Sequence, residues 1–414
     1  MMSILIEQLI NITDAIFLGH VGEIELGASA IAGIWYLAIY MLGFGFSLGL
    51  QVVIARRNGE QHYSETGKTF FQGLFFLSGL AVFLCLLSKL FSPIILSRLI
   101  TSAEVYHAVI DYLDGRIWGL LFSFPFLALR SFLVGITRTK ALNMAALTAV
   151  LVNIPSNWLL IFHWNMGIAG AAIASSFAEA CSLAVLAIHV LRKMDKQFYG
   201  LYWRFDKTVL RHICQVSVWS MLHSFISVAP WFLFFVAIEH LGELQLAVAN
   251  ILRSISTLFF VIVNSFAATT GSLVSNLIGA DERGQVFPLC SRVIRLGYAI
   301  GLPLIALALV FHQPVASVYT DNPAIVQTAW LPFVVMLLNY VLALPGYVYM
   351  NAVTGTGATR IAFIFQATTI AAYLLYLWGL SHWDVPLAVY WTVEYLFVIG
   401  LGVQSVIYLK YKHF

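Results

Sequence analysis

His20-Val21-Gly22-Glu23-Ile24-Glu25-Leu26 returns 220 positions later as His240-Leu241-Gly242-Glu243-Leu244-Gln245-Leu246. The same offset, without a gap, pairs Gly59 with Gly279, Pro125 with Pro345, Gly135 with Gly355 and Thr139 with Thr359. Identity between the halves is otherwise low. The matches fall where long apolar runs end or bend, and turn signals held in one register along each half mark a duplicated architecture. A duplicated, apolar, helix-rich chain is the usual build of a secondary transporter.

Of the 414 residues, 61% are hydrophobic and 10% charged, and the mean hydropathy is +0.89. Soluble domains carry about 25% charged residues, so this chain lacks the polar surface a water-soluble fold needs. It is expected to be integral to a membrane. Apolar runs occupy 3–18, 28–55, 70–88, 117–136, 142–162, 168–191, 213–238, 246–278, 293–311, 329–354, 361–380 and 386–409. No run alternates apolar and polar residues as a barrel strand would. The expected fold is all-α, with twelve transmembrane helices in two six-helix lobes. Six is even, so both halves enter the membrane the same way up and the repeat is parallel. The expected organisation is an N-terminal lobe over 1–191, a basic cytoplasmic linker over 192–211 and a C-terminal lobe over 212–414. The four cysteines form no Cys-x-x-Cys pair and imply neither a disulfide nor a metal site.

The first run is short. At about 1.5 Å per residue it reaches roughly 24 Å, less than a hydrocarbon core of about 30 Å. Its helix is expected to stop short of the cytoplasmic face, as it would if the natural reading frame began upstream.

With the N-terminus in the cytoplasm, seventeen of the 22 Lys and Arg fall on inner loops, and only Lys89 and Arg98 lie outside. The positive-inside bias then places both termini of a multi-pass protein in the cytoplasm. The linker at 192–211 reads as solvated and basic, with anionic lipid head groups as a secondary use. Nothing in the pattern calls for nucleic acid, and the expected assembly is a monomer.

Ionisable groups inside spans cost several kcal/mol or more and are functional candidates by default. The candidates are Asp14, Glu179, Arg253 and Glu394, with Arg116 and Arg130 in the fourth helix and Glu7 in the first. Asn153 and Asn157 are spaced i, i+4 and share one helix face, with Pro155 between them freeing a backbone carbonyl. By depth, Asp14 and Asn157 match. One carboxylate and two amides form either a protonatable site or a site for a small hard cation such as sodium. The alternative is that the Asn pair merely joins helices. Arg253 and Glu394 also lie at one depth and are expected to pair, since opposite buried charges are cheaper together than apart.

These residues carry a family likeness. Asp14-Ala15-Ile16-Phe17-Leu18-Gly19-His20-Val21-Gly22 resembles the end of the first helix of multidrug and toxic compound extrusion (MATE) transporters. Asn153-Ile154-Pro155-Ser156-Asn157, followed by Trp158 and Phe162, resembles the family's fifth helix, nearest its NorM-like branch. Gly167-Ile168-Ala169-Gly170-Ala171-Ala172-Ile173-Ala174 resembles its sixth. The resemblance covers the whole chain. It implies an antiporter that exports organic, often cationic and amphipathic, small molecules against inward sodium or proton flow, needing no cofactor beyond that ion. It places ion or proton coupling at Asp14, Asn153 and Asn157, with Glu179, Arg253 and Glu394 as further polar candidates for transport.

The chain also departs from the pattern. The acids that the NorM-like branch carries in its seventh and tenth helices are absent, because Ser220-Met221-Leu222-His223-Ser224-Phe225-Ile226 and Leu342-Ala343-Leu344-Pro345 hold none. Coupling is therefore expected in the N-terminal lobe. The runner-up is a lipid-linked oligosaccharide flippase of the same superfamily, which would need a strongly cationic cavity and could draw only on Arg116, Arg130 and Arg253. A membrane-embedded transferase would need a large soluble loop with paired acids or histidines, and no loop is large enough. Gly43-x-Gly45-x-x-x-Gly49 has no preceding strand and reads as close helix packing, not as a nucleotide loop. With no catalytic triad, zinc helix or nucleotide loop, the chain is not expected to be an enzyme.

Overall fold

The computed structural model describes residues 13–412 apart from 15–16, 19–20, 22, 101, 228–229, 231–232, 235–236, 239–240, 242, 318–322 and 384. The run 3–18, and with it the expected shortness of the first helix, lies largely outside the described residues. Within it, Thr13 and Asp14 have helical backbone.

All regular structure among the described residues is helical. In the first half follow α1 (Glu23–Gly59), α2 (Tyr63–Leu99), α3 (Ala103–Arg116), α4 (Leu120–Gly135), α5 (Lys140–Asn157) and α6 (Gly167–Lys193). Next come α7 (Lys207–Ile226), α8 (Glu243–Gly279), α9 (Val286–Val310), α10 (Trp330–Gly355), α11 (Thr359–Ser381) and α12 (Thr392–Tyr411). A single 3₁₀ turn, Ile117–Gly119, joins α3 to α4 in one rod, and a π-helical turn, Trp158–His163, extends α5. Among the described residues, ten such helical stretches are long and apolar enough to cross a bilayer. The expected spans 3–18 and 213–238 are not among them, and both run into residues outside the description.

The repeat is written into the backbone. Gln61 (φ 61°) and Asp281 (φ 59°) are left-handed, and so are Thr137 (φ 60°) and Gly357 (φ 90°). Each pair is separated by the same 220 positions. A positive φ is uncommon outside glycine, so finding it at matched positions is not chance. The hydrogen bonds match as well: the Gln61 amide donates to the Asn58 carbonyl and Asp281 to Ile278, both at 3.2 Å, while Thr137 donates to Val134 and Gly357 to Thr354, both at 3.0 Å. Within the first half α1 packs on α4 and α5 on α6; within the second, α8 packs on α10 and α11 on α12.

The described residues fall into two compact units, one ending at Ser224 and the other beginning at Phe225. The division falls beyond the expected start of the second lobe at 212, so most of α7 belongs to the first unit. Small residues facing one another are the reason. A Cβ on Gly45 would stand 2.5 Å from the Ser220 carbonyl oxygen, and one on Gly49 would run into Ser217. The glycine-rich stretch is thus a groove for α7, as the sequence implied, with Gly43 seated on the Phe124 ring. Gly49→Ala is expected to cost about 1–3 kcal/mol by overpacking, read as a lowered unfolding temperature of the detergent-solubilised protein. Gly79→Ala, where a Cβ meets nothing within 4 Å, should be neutral by the same measure.

The linker is not the free tether that its charge implied. The Gly67 amide donates to the Tyr199 carbonyl (2.8 Å), and Gln72 donates to the Arg204 carbonyl (2.6 Å) while accepting from the Asp206 amide (3.0 Å). Lys68 Nζ lies 2.8 Å from Asp206 Oδ2. The hydrogen bond from Lys68, aided by the Val209 and Thr208 amides, holds the Asp206 carboxyl below the usual carboxylate range. Trp203 packs on the Phe71 and Phe75 rings at 5.5 and 4.8 Å. The linker is therefore clamped to the start of α2 by polar and aromatic contacts.

Candidate functional site

Asp14 sits in a closed ring of polar side chains inside the first unit. Asn157 Nδ2 donates to Asp14 Oδ1 (2.5 Å) and to Asn153 Oδ1 (3.0 Å). Asn153 Nδ2 donates to Ser175 Oγ (3.1 Å), and Ser175 Oγ donates to Asp14 Oδ2 (2.7 Å). Asn153 and Asn157 have no exposed surface, and Ser175 is buried.

The local sequence explains how. Spaced by four on α5, the two amides point the same way while Leu151, Ile154 and Trp158 turn outward. Pro155 lies within the last turn of α5, and the π-helical turn begins directly after Asn157. The structure thus brings together the three residues the sequence singled out. It adds Ser175, which lies in a run of glycine, alanine and serine on α6 that reads as helix packing.

The ring has a direction. Both oxygens of Asp14 accept, which suits an ionised carboxylate. Asn157 Oδ1 is buried and has no partner among the described residues. A carboxylate, two amide oxygens, one of them unused, and a hydroxyl make an all-oxygen donor set of the kind a hard monovalent cation takes. Binding a proton instead would turn one carboxylate oxygen into a donor, and a half-turn of the Asn157 amide would present Oδ1 to receive it.

One helical turn along α6 from Ser175 stands Glu179, its carboxylate paired with Arg116 at 2.6 Å. Arg116 also covers the Tyr36 ring at 4.0 Å, and the Tyr36 hydroxyl donates to Glu179 Oε2 at 3.5 Å. Sequence reasoning named both charges but did not join them. Glu179 is thus already neutralised by a fixed partner. Tyr36, Tyr40 and Phe44 stack along α1 with centroids 6.3 Å apart, and Arg130 lies over the Phe44 ring at 5.7 Å.

The expected pair of Arg253 and Glu394 does not form. Arg253 lies on the exposed face of α8, whereas Glu394 is buried on α12 and accepts a hydrogen bond from the Tyr373 hydroxyl at 3.1 Å. Equal depth fixes a level in the membrane but not the direction in which a side chain leaves its helix. Among the described residues, no cluster of three or more His, Cys, Asp or Glu could hold a metal ion.

Known proteins match along the whole chain. The sequence model of the MatE family matches residues 1–159 and again 220–377, once in each half. The probable multidrug resistance protein NorM of Shewanella oneidensis is 22% identical over 94% of this chain and 83% of its own length. The multidrug resistance protein NorM of Vibrio cholerae is 23% identical over 95% of this chain and 88% of its own. Among solved structures, a mutant of the MATE transporter VcmN of Vibrio cholerae superposes with a TM-score of 0.90 at 16% identity. That match covers 99% of this chain and 94% of the other, and it speaks to the fold.

Proposed function

The chain belongs to the MatE family, and on that premise we propose that it exports organic, cationic or amphipathic small molecules in exchange for an inward-moving proton or sodium ion bound at Asp14. It is a transporter, not an enzyme. The observation that carries the site is the ring in which Asn157, Asn153 and Ser175 close on one carboxylate. Such a ring has two settings, charged or filled, and binding the coupling ion in one and releasing it in the other is what alternating access requires. Beside Tyr36, whose ring Arg116 covers, the half-buried Tyr40 and Phe44 supply stacking and cation–π surface for a guest.

The protein resides as a monomer in the bacterial inner membrane with both termini in the cytoplasm, and the aromatic and basic linker lies against the inner head groups. A flippase would need free cationic side chains, and Arg116 is already spent on Glu179. Ethidium efflux from proteoliposomes, with sodium and pH gradients imposed separately, tests the reading. One inward gradient is expected to drive efflux. Efflux indifferent to both would overturn it.

A further inference from the structure

The second unit holds a cavity of about 60 Å³ that the proposed coupling at Asp14 does not use. Phe259 and Phe260 from α8, Asn339 and Tyr347 from α10, and Glu394 from α12 line it. Room of that size admits water or a small ion. Glu394 is 9% exposed, and Tyr373 donates to one of its oxygens. Asn339 Oδ1 is buried and has no partner among the described residues. The titratable groups around the carboxylate among the described residues are phenols, Tyr373 from α11 and Tyr340 and Tyr347 from α10. Among the described residues, no lysine, arginine or histidine lines the cavity. A buried carboxylate without a fixed cation is stable only when something mobile neutralises it.

The internal repeat gives this cavity a meaning. Moved by 220 positions, Asn153 becomes Tyr373 and Ala174, the neighbour of Ser175, becomes Glu394. Asp14 becomes Phe234, which packs on Trp391 with ring centroids 5.1 Å apart. The second half therefore carries no acid at the position matching Asp14 and has one on the helix that corresponds to α6. Tyr373 offers its hydroxyl where Asn153 offers an amide. The pair α11 and α12 repeats the packing of α5 and α6.

We propose that Glu394 and Tyr373 form a second, pseudo-symmetric cation site in the C-terminal lobe, at which Glu394 takes up and releases a proton during transport. In the sequence Glu394 was a polar transport candidate expected to pair with Arg253. The absence of acids from the seventh and tenth spans argued against a site in this lobe. Glu394 supplies the missing charge from the twelfth. The site goes beyond the coupling assigned to Asp14 and does not depend on it.

Infrared difference spectra of the purified transporter in lipid, recorded between low and high pH, test the proposal. A protonated carboxyl absorbs apart from an ionised one, so each titrating acid gives its own band. Glu394→Gln keeps the size and an acceptor for Tyr373. It is expected to remove one pH-dependent carboxyl band and leave the Asp14 band, which also reports intact folding. Tyr373→Phe should retain the Glu394 band but move it to higher frequency, because a hydrogen bond to the carboxyl is lost. An unchanged spectrum in Glu394→Gln overturns the proposal, and so does a Glu394 band that never responds to pH. If Glu394→Gln does not fold, an unshifted band in Tyr373→Phe overturns it as well. Absence of the Asp14 band would instead strike the N-terminal reading and leave this one standing.

Discussion

Asp14→Asn is expected to fold as the parent does and to lose gradient-driven efflux down to the level of empty liposomes. The substitution preserves volume and leaves the ring closable, since a half-turn of Asn157 presents its unused Oδ1 to the new amide. What it removes is the charge that changes when the ion arrives. The variant is locked in the filled setting, and an antiporter that cannot empty its ion site has no coupled cycle. Binding of an aromatic cation in the absence of a gradient should persist, because the ladder on α1 does not involve the carboxylate. Equilibrium dye binding in detergent and efflux from proteoliposomes separate the two effects. Efflux at the parent's rate would refute coupling through the N-terminal lobe. The acid to pursue would then be Glu394 rather than Glu179, whose charge Arg116 already holds.

Much of this was legible in the chain. The offset of 220 positions set out two equal halves, and the left-handed residues Gln61, Asp281, Thr137 and Gly357 show that even the turns between helices kept it. Asn153 and Asn157 declared themselves by spacing, and Asp14 by the cost of an acid in a span. Ser175 did not, because a hydroxyl in a run of small residues serves helix packing as readily as hydrogen bonding. Partner choice was also out of reach. Arg116 and Glu179 lie on different spans, and which charges meet depends on the direction each leaves its helix. The same ignorance of direction wrongly matched Arg253 with Glu394. Gly45 and Gly49 read as a packing face, but nothing local named Ser217 and Ser220 as its occupants.

Glu179→Ala is expected to destabilise the protein by about 3–5 kcal/mol, the range found when one partner of a buried ion pair is removed. The side chains of Arg116 and Glu179 are 14% and 25% exposed, so water can do little for whichever charge is left. Arg116 would keep its seat over Tyr36, but Nη1 already lacks a partner among the described residues and Nη2 would lose its own. Arg116→Ala should be as harmful, since it strands the carboxylate and also empties the space over the Tyr36 ring. The double change Arg116→Leu/Glu179→Leu leaves no charge behind and should cost far less than either single change, the non-additivity expected of coupled neighbours. It should also keep gradient-driven efflux, because the pair supports the wall behind the Asp14 ring without carrying the ion. Unfolding temperatures of the three variants in detergent measure the first expectation, and proteoliposome efflux the second. Additive losses would show that the two residues act separately. A stable double variant that no longer pumps would make Glu179 part of the coupling path.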